Sequence, residues 1–456
     1  MQFRSTNTSE SSEIREPLVS FRDAVLCCLP PDGGLYVPDR AMDIRQLFLY
    51  MDEETGFSDL VAAVAPSLLE GGLNPLSASR VAESAFDFEP ELIRLDDDYS
   101  LLNLCKGPTG IYKDFGIAFL AAMLEELHKD SPPALVLAAA LADTGISMAH
   151  ALSGRKGISA VLVYPAKLPA EPLAKPMRGF DPAALPAALP ANSVPNGGNI
   201  IPIQVQGTFE DCQRLVKEAI NDRAFADRYR ITSANTINPG RLLPQAFYYL
   251  YAFIKIKKHI SGGLAFSIPC GNFGNFISGL YAWKFGMPVN SFIAAMNSNN
   301  ALGNFIKSGT FTPRPLIKTN SPALDVSIPL NFSRLESFYR EAPAVMRNMV
   351  YPASVDDELT LRTMERVWKK YHLHIDSHTA VAFAAAEQTN ADLHWKGNVH
   401  TVVLATGHHA REAELIRKVT GETVAEMQSL QQKIEPVALI SPNLDAFKGI
   451  ITHYYQ

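Results

Sequence analysis

Ala134-Leu135-Val136-Leu137-Ala138-Ala139-Ala140 is a run of seven apolar residues, and Leu141-Ala142-Asp143-Thr144-Gly145 ends it. Such a run suits a strand covered on both faces. The polar residues that follow suit the start of a helix. Comparable runs recur at 160–164, 200–206, 264–268, 292–295 and 401–405. Between them lie helical patterns such as 209–221, 243–259 and 276–285. Buried strands alternating with helices predict an α/β fold with mainly parallel sheets. Upstream the texture differs. Residues 1–17 read as loosely structured, 20–29 as a short helix, 30–38 as a turn-dense connector, and about 43–86 as helical. A boundary falls near Phe88-Glu89-Pro90. The expected organisation is an N-terminal, mostly helical domain over 1–88, a large domain from 89–129 with 231–456, and a small α/β domain over 130–230. The segment 170–199 is dominated by Pro, Ala and Gly and reads as an extended surface loop.

The chain has 456 residues, enough for two or three domains and a large core. With 41 Lys and Arg against 47 Asp and Glu its net charge is -6, which offers no basic surplus for nucleic acid or an anionic membrane. The five cysteines show neither CxxC pairs nor zinc spacing, so reduced thiols are expected. No signal-peptide core and no transmembrane-length run is visible, so a cytoplasmic protein is expected.

Several stretches carry chemistry. Gly107-Pro108-Thr109-Gly110-Ile111-Tyr112-Lys113-Asp114-Phe115-Gly116 joins an irregular turn to an apolar-periodic helix through Phe119, Leu120, Met123 and Leu127. A lysine there, beside Ile111, Tyr112 and Phe115, tends to lose its proton, as Schiff-base chemistry requires. Taken alone, the stretch fits an ordinary exposed lysine at a helix start better. Gly271-Asn272-Phe273-Gly274-Asn275 lies between a strand and a helix. It suits either a phosphate cradle or a tight turn, and matches neither a P-loop nor GxGxxG. Ser233 to Arg241 is unusually polar. Asn235, Thr236 and Arg241 could grip a small dianion, while Asn238 and Pro239 fit helix capping. Asp143-Thr144-Gly145 suits a carboxylate site or an N-cap. Thr406 ends the last strand, where α/β sheets place ligands, and could bond a ring nitrogen. His408 and His409 read as capping or solvated rather than metal ligands, and no metal is expected. Asp376-Ser377-His378-Thr379 lacks a nucleophile elbow and reads as a helix cap.

Taken together and in order, these blocks resemble the threonine synthase family, within the fold type II, tryptophan-synthase-β-like group of pyridoxal-phosphate enzymes. Phe3-Arg4-Ser5-Thr6, Pro31 through Pro38, Gly207 through Gln213, Asp325-Val326-Ser327, Asn331-Phe332 and Asp376 through Ala380 carry the likeness alongside the stretches above. The resemblance implies two α/β domains, the larger binding pyridoxal 5'-phosphate, after a small, mostly helical N-terminal domain. It implies that Lys113 is the catalytic lysine and forms the Schiff base. Gly271, Asn272, Phe273, Gly274 and Asn275 would hold the cofactor phosphate, and Thr406 would face the pyridine nitrogen. Asn235, Thr236 and Arg241 would bind the substrate's phosphate, with Asp143, Thr144 and Gly145 beside its carboxylate.

The chain also departs from the family pattern. Ala140-Leu141-Ala142 stands where Thr-Ser-Gly is usual, which removes donors worth on the order of 1–3 kcal/mol to a charged acceptor. Lys106 replaces a common His, Gly110 a bulkier apolar residue, and His409 a common Pro. The 170–199 segment replaces a shorter, more polar one. The implied activity is that of a carbon–oxygen lyase acting on phosphates, converting O-phospho-L-homoserine and water to L-threonine and phosphate. The alternatives are a phospho-lyase releasing a 2-oxo acid and ammonia, or a cofactor-binding relative that has lost catalysis. The expected partner is a small-molecule substrate, with no nucleic acid or membrane, in a monomer or homodimer.

Overall fold

Strands with apolar side chains on both faces must be covered on both sides, and the chain does this with two largely parallel sheets. The computed structural model describes residues 1–8, 17–70, 73–166, 198–425 and 436–455. In chain order, β1 (Gln2–Ser5), β2 (Val19–Ser20) and β3 (Tyr36–Pro38) form a small antiparallel sheet ordered β2-β1-β3. β4 (Glu91–Arg94) and β5 (Tyr99–Asn103) begin a second sheet. The chain then leaves it to build a third from β6 (Ala134–Ala139), β7 (Ile158–Pro165), β8 (Ile200–Val205) and β9 (Ile231–Ser233). It returns with β10 (Gly263–Pro269), β11 (Ser291–Met296), β12 (Val350–Ser354) and β13 (Val399–Ala405). β14 (Ala438–Ile440) ends on the third sheet. The strand orders are β12-β11-β10-β13-β5-β4 and β14-β8-β7-β6-β9. Among the described residues, only the β4–β5 pair in these two sheets is antiparallel.

The α/β class read from the sequence is therefore what the chain adopts, and the helix over 209–221 falls where its pattern put it. The N-terminal region differs in detail. Its helices Phe57–Leu68 and Pro75–Ala85 are accompanied by strands at 2–5, within the supposedly loose 1–17, and at 36–38, within the supposed connector. Strands of two to four residues carry too few side chains to show alternation. β12 was also unanticipated. It contains Pro352, which an edge position tolerates because one side of the strand needs no ladder bonds. β14 places part of 231–456, assigned by sequence to the large domain, on the sheet of the small one. The 170–199 loop lies almost wholly outside the described residues.

The helix Lys113–Leu127 ties these parts together. Phe115, Ile117, Phe119, Leu120, Met123 and Leu124 are all buried, so it has no solvent face over most of its length. Phe115 meets Phe57 and Phe88 edge-on, with ring centroids 5.5 and 4.9 Å apart, and Tyr248 at 5.7 Å. Gly116 permits a backbone crossing: a Cβ there would lie 2.4 Å from the carbonyl oxygen of Arg241. All five cysteines are free thiols. Among the described residues no helix is long and apolar enough to cross a membrane.

Phe115→Ala is expected to cost about 3–5 kcal/mol. Hydrogen exchange should accelerate first in Phe57–Leu68 and Pro75–Ala85. Unchanged exchange there would show that Phe115 does not dock the N-terminal region.

Candidate active site

In parallel sheets the strand C-termini all point the same way, so loops from distant sequence positions meet at one edge. β5 leads to the Gly107–Tyr112 turn, β6 to 141–145, β9 to 235–236, β10 to 270–275 and β13 to Thr406. The first and last are sewn together. Ile111 bridges Gly407, the Tyr112 N–H donates to the Thr406 carbonyl at 3.1 Å, and the His408 N–H donates to Gly110 at 2.8 Å.

Lys113 is the first residue of its helix, and its Nζ donates to Thr144 Oγ1 at 2.9 Å. Burial is the main cause of its lowered pKa, about 8. Arg241 and Arg411 lower it further, while Asp143 and Asp114 oppose them. Asp114 is buried, and accepts bonds from Thr109 N–H (2.9 Å), Thr109 Oγ1 (2.6 Å) and Ser147 Oγ (2.5 Å). It thereby locks the turn that aims Lys113. Asp143 does not cap the helix Ala142–Leu152, whose N-cap is Leu141. Asp143 sits in its first turn and pairs with Arg411. The Gly145 N–H donates to the Leu141 carbonyl at 3.1 Å.

The 271–275 turn is built for a close ligand. Phe273 holds φ 59°, a left-handed conformation that costs a side-chain-bearing residue roughly 1–2 kcal/mol. It precedes the helix Gly274–Lys284, whose first turn receives no side-chain cap. Those N–H groups are open to an anion. A Cβ at Gly271 would lie 2.6 Å from the carbonyl oxygen of Ala323. Asn275 is buried, and its Oδ1 accepts from Tyr248 and Tyr249 hydroxyls at 2.6 and 2.7 Å. Its Nδ2 is buried without a partner.

The 233–241 stretch divides its work. Asn238 is the N-cap expected, accepting from Gly240 N–H, while its Nδ2 donates to Val25 O, Thr232 Oγ1 and Ser233 O. Asn235 pins the end of β6, bonding the N–H and C=O of Ala139 at 3.1 and 2.8 Å. Thr236 Oγ1 accepts from Asn331 Nδ2 at 3.0 Å, and the same amide reaches the Asn272 carbonyl at 3.1 Å. Arg241 is 3% exposed. Its Nη1 donates to the Ala234 carbonyl at 2.5 Å, its Nε is unpaired, and among the described residues no carboxylate pairs with it. Burial lowers its pKa to about 10.

Three contributors escaped the sequence reading. Arg334, fully buried, donates to Tyr36 O, Thr236 O, Ile237 O and Asn331 Oδ1 at 2.6–3.1 Å. Asn331 was noted only as part of a matching block. Arg411 lies five residues beyond Thr406, and no local pattern distinguishes it from a surface arginine. Asp376 caps the helix Ser377–Asp392, and His408 Nδ1 accepts from Ala410 N–H at 3.2 Å; both are the capping roles expected. His378 Nδ1 lies 2.9 Å from Asp376, and its Nε2 accepts from Ala323 N–H at 3.1 Å. The Asp376 to Ala380 block therefore braces the loop that faces Gly271.

A partly desolvated lysine, an uncapped helix start behind a glycine turn and a buried guanidinium without a counter-ion suit a group bearing an aldehyde and a phosphate. The comparisons with known proteins agree. A family model described as pyridoxal-phosphate dependent enzyme matches residues 101–407. Threonine synthases from Escherichia coli and Serratia marcescens are 32% and 31% identical over 433 and 434 residues, covering 94% of this chain and 94–95% of theirs. The crystal structure of threonine synthase from Escherichia coli superposes with a TM-score of 0.83 at 28% identity, both chains being covered in full. The chain is a pyridoxal-phosphate dependent lyase of the α/β kind. Within that class it belongs to the threonine synthase family.

Because folding lowers the Lys113 pKa from the usual lysine value to about 8, the unfolded chain binds more protons between those two values. Stability of the cofactor-free chain should therefore rise with pH through that window. Lys113→Met should stabilise it at pH 7 by on the order of 1–3 kcal/mol, with the gain disappearing above about pH 10.5. Denaturant unfolding at the two pH values checks this; a gain independent of pH would refute it.

Proposed function

We propose that the chain converts O-phospho-L-homoserine and water to L-threonine and phosphate, with Lys113 as its catalytic base and acid. The observation that carries the substrate's phosphate is Arg241, a guanidinium held out of water with an unpaired Nε and, among the described residues, no carboxylate partner. A buried cation of this kind is costly unless an anion completes it. Thr236 lies on the same segment and is held in place by Asn331 and Arg334. Asn235 fixes that segment to the end of β6, which supports a phosphate grip near the Asp143-Thr144-Gly145 turn.

Pyridoxal 5'-phosphate, when bound, supplies an aldehyde for an amine link and a ring that stores negative charge generated at Cα. The backbone N–H groups from Gly271 to Asn275 would hold its phosphate, and Thr406 would serve its ring nitrogen. Lys113 would anchor it through Nζ, the amine that lies against Thr144. Lys113 Nζ removes the proton from Cα and exchanges protons at Cβ, which a depressed pKa permits near neutral pH. Thr144 keeps Nζ aimed between transfers. Arg241 stabilises the phosphate as it leaves Cγ. Asp143, Thr144 and Gly145 lie by the substrate's carboxylate, where the N-terminus of Ala142–Leu152 offers backbone donors in place of the missing side-chain ones.

Cofactor-loaded protein given O-phospho-L-homoserine should release phosphate and threonine in equal amounts, and Lys113→Ala should abolish both. A 2-oxo acid in place of threonine would replace this reading with a phospho-lyase. Arg241→Lys keeps the charge but loses the fork. It should lower kcat/KM by about 10- to 100-fold while leaving cofactor absorbance intact; an unaffected kcat/KM would remove Arg241 from the phosphate site.

A further inference from the structure

The loops that meet at Lys113 come from two sheets, and an ion pair close enough to act on its amine joins them. Arg411 follows β13 of the six-stranded sheet, and Asp143 follows β6 of the five-stranded one. The Arg411 side chain is 13% exposed and that of Asp143 48%. Nη2 of Arg411 pairs with Asp143, and Nη1 donates to the Thr109 carbonyl at 3.1 Å. Thr109 belongs to the turn that leads to Lys113, and Thr144, next to Asp143, accepts from Lys113 Nζ. A single guanidinium thus holds both the segment that presents Lys113 and the segment that receives its amine.

We propose that Arg411 and Asp143 form a charge-balanced clasp between the two lobes, which positions Thr144 on Lys113 and cancels the field of the Asp143 carboxylate at Nζ. Arg411 is a positioning residue: it acts through Asp143 and the 109–112 turn. The inference rests on Lys113 being the lysine that links the cofactor. The charged groups facing Nζ are Asp143, Asp114, Arg241 and Arg411. Asp114 is held by Thr109 and Ser147 and Arg241 by Ala234, so Arg411 and Asp143 are the two whose charges directly offset each other. Without Arg411 the Asp143 carboxylate loses its paired cation and favours protonated Lys113. Without the Asp143 charge, Arg411 is unopposed and favours the neutral amine. The two substitutions therefore act in opposite directions, which loosening of the clasp alone cannot do.

The test is capture of pyridoxal 5'-phosphate by the full chain stripped of cofactor, followed by absorbance across pH. In that step the Nζ lone pair forms the bond to the aldehyde carbon, the amine loses its protons, and the aldehyde oxygen departs as water. Only neutral Nζ reacts, so the rate reports its charge, and the cofactor's own titration is common to all variants. Relative to the unmodified chain, Arg411→Met should move the rate profile to higher pH by about half a unit to one unit. Asp143→Asn, which keeps an oxygen for Arg411, should move it to lower pH by a similar amount. Arg411→Lys should restore the original midpoint. Shifts in the same direction, or slower capture with an unmoved midpoint in both variants, would overturn the clasp's electrostatic role. If Lys113→Ala captures cofactor as the unmodified chain does, the assignment of Lys113 itself fails, and the inference with it.

Discussion

Two basic groups, Lys113 partly and Arg241 almost wholly withdrawn from water, govern the arrangement of this molecule. Lys113 and Arg241 lie where loops from both sheets converge, and burial is the leading influence on each. Desolvating a charge is unfavourable, and the surroundings offer only partial compensation. Lys113 has the Thr144 hydroxyl, and Arg241 one carbonyl with its Nε left over. A site poised in this way gains most from ligands that bring their own negative charge and a group able to react with an amine. The pyridoxal-phosphate dependence of the family fits that requirement.

Holding such groups in place takes a rigid support, and much of it is polar and buried. Arg334 fastens the 236–237 backbone to Asn331 and to Tyr36 of the small N-terminal sheet, while Asn331 links Thr236 to the Asn272 carbonyl. The 271–275 turn, the polar 233–241 segment and the N-terminal region therefore share one hydrogen-bond network. On the other side, Asp114 joins the Thr109 turn to Ser147 of the helix that follows β6. These groups have every reason to be invariant in position, because an unpaired member would be left without water to replace its partner.

One departure from the pattern the resemblance implies, Ala140-Leu141-Ala142, falls on the segment that opens the helix after β6. Leu141 is that helix's N-cap and contributes no side-chain hydrogen bond. The donors remaining at this helix start are its backbone N–H groups. The Asp143–Arg411 pair brings a second charged group to the same place from the opposite sheet. His409, standing where Pro is common in the family, stacks on His408 with centroids 4.4 Å apart, so the turn after Thr406 is supported by ring contact instead of a fixed φ.

The sequence by itself determined the α/β class and the central helix. Apolar runs such as 134–140 and the unbroken apolar character after Lys113 require burial wherever they are placed. It also determined the local devices: the glycine turn before 274–284, the capping by Asn238 and Asp376, and a lysine at a helix start. Each of these depends on residues within a few positions of one another. Tertiary structure alone decided the rest. β14 pairs with a strand more than two hundred residues earlier, and three-residue strands leave no periodic trace. Asn235 is directed to the main chain of Ala139, Arg334 to Thr236, and Arg411 to Asp143, across separations that no sequence window spans. Whether an arginine is a solvated surface residue or a buried guanidinium short of a counter-ion depends on what is packed around it. That packing exists only once the two sheets have brought their strand ends together.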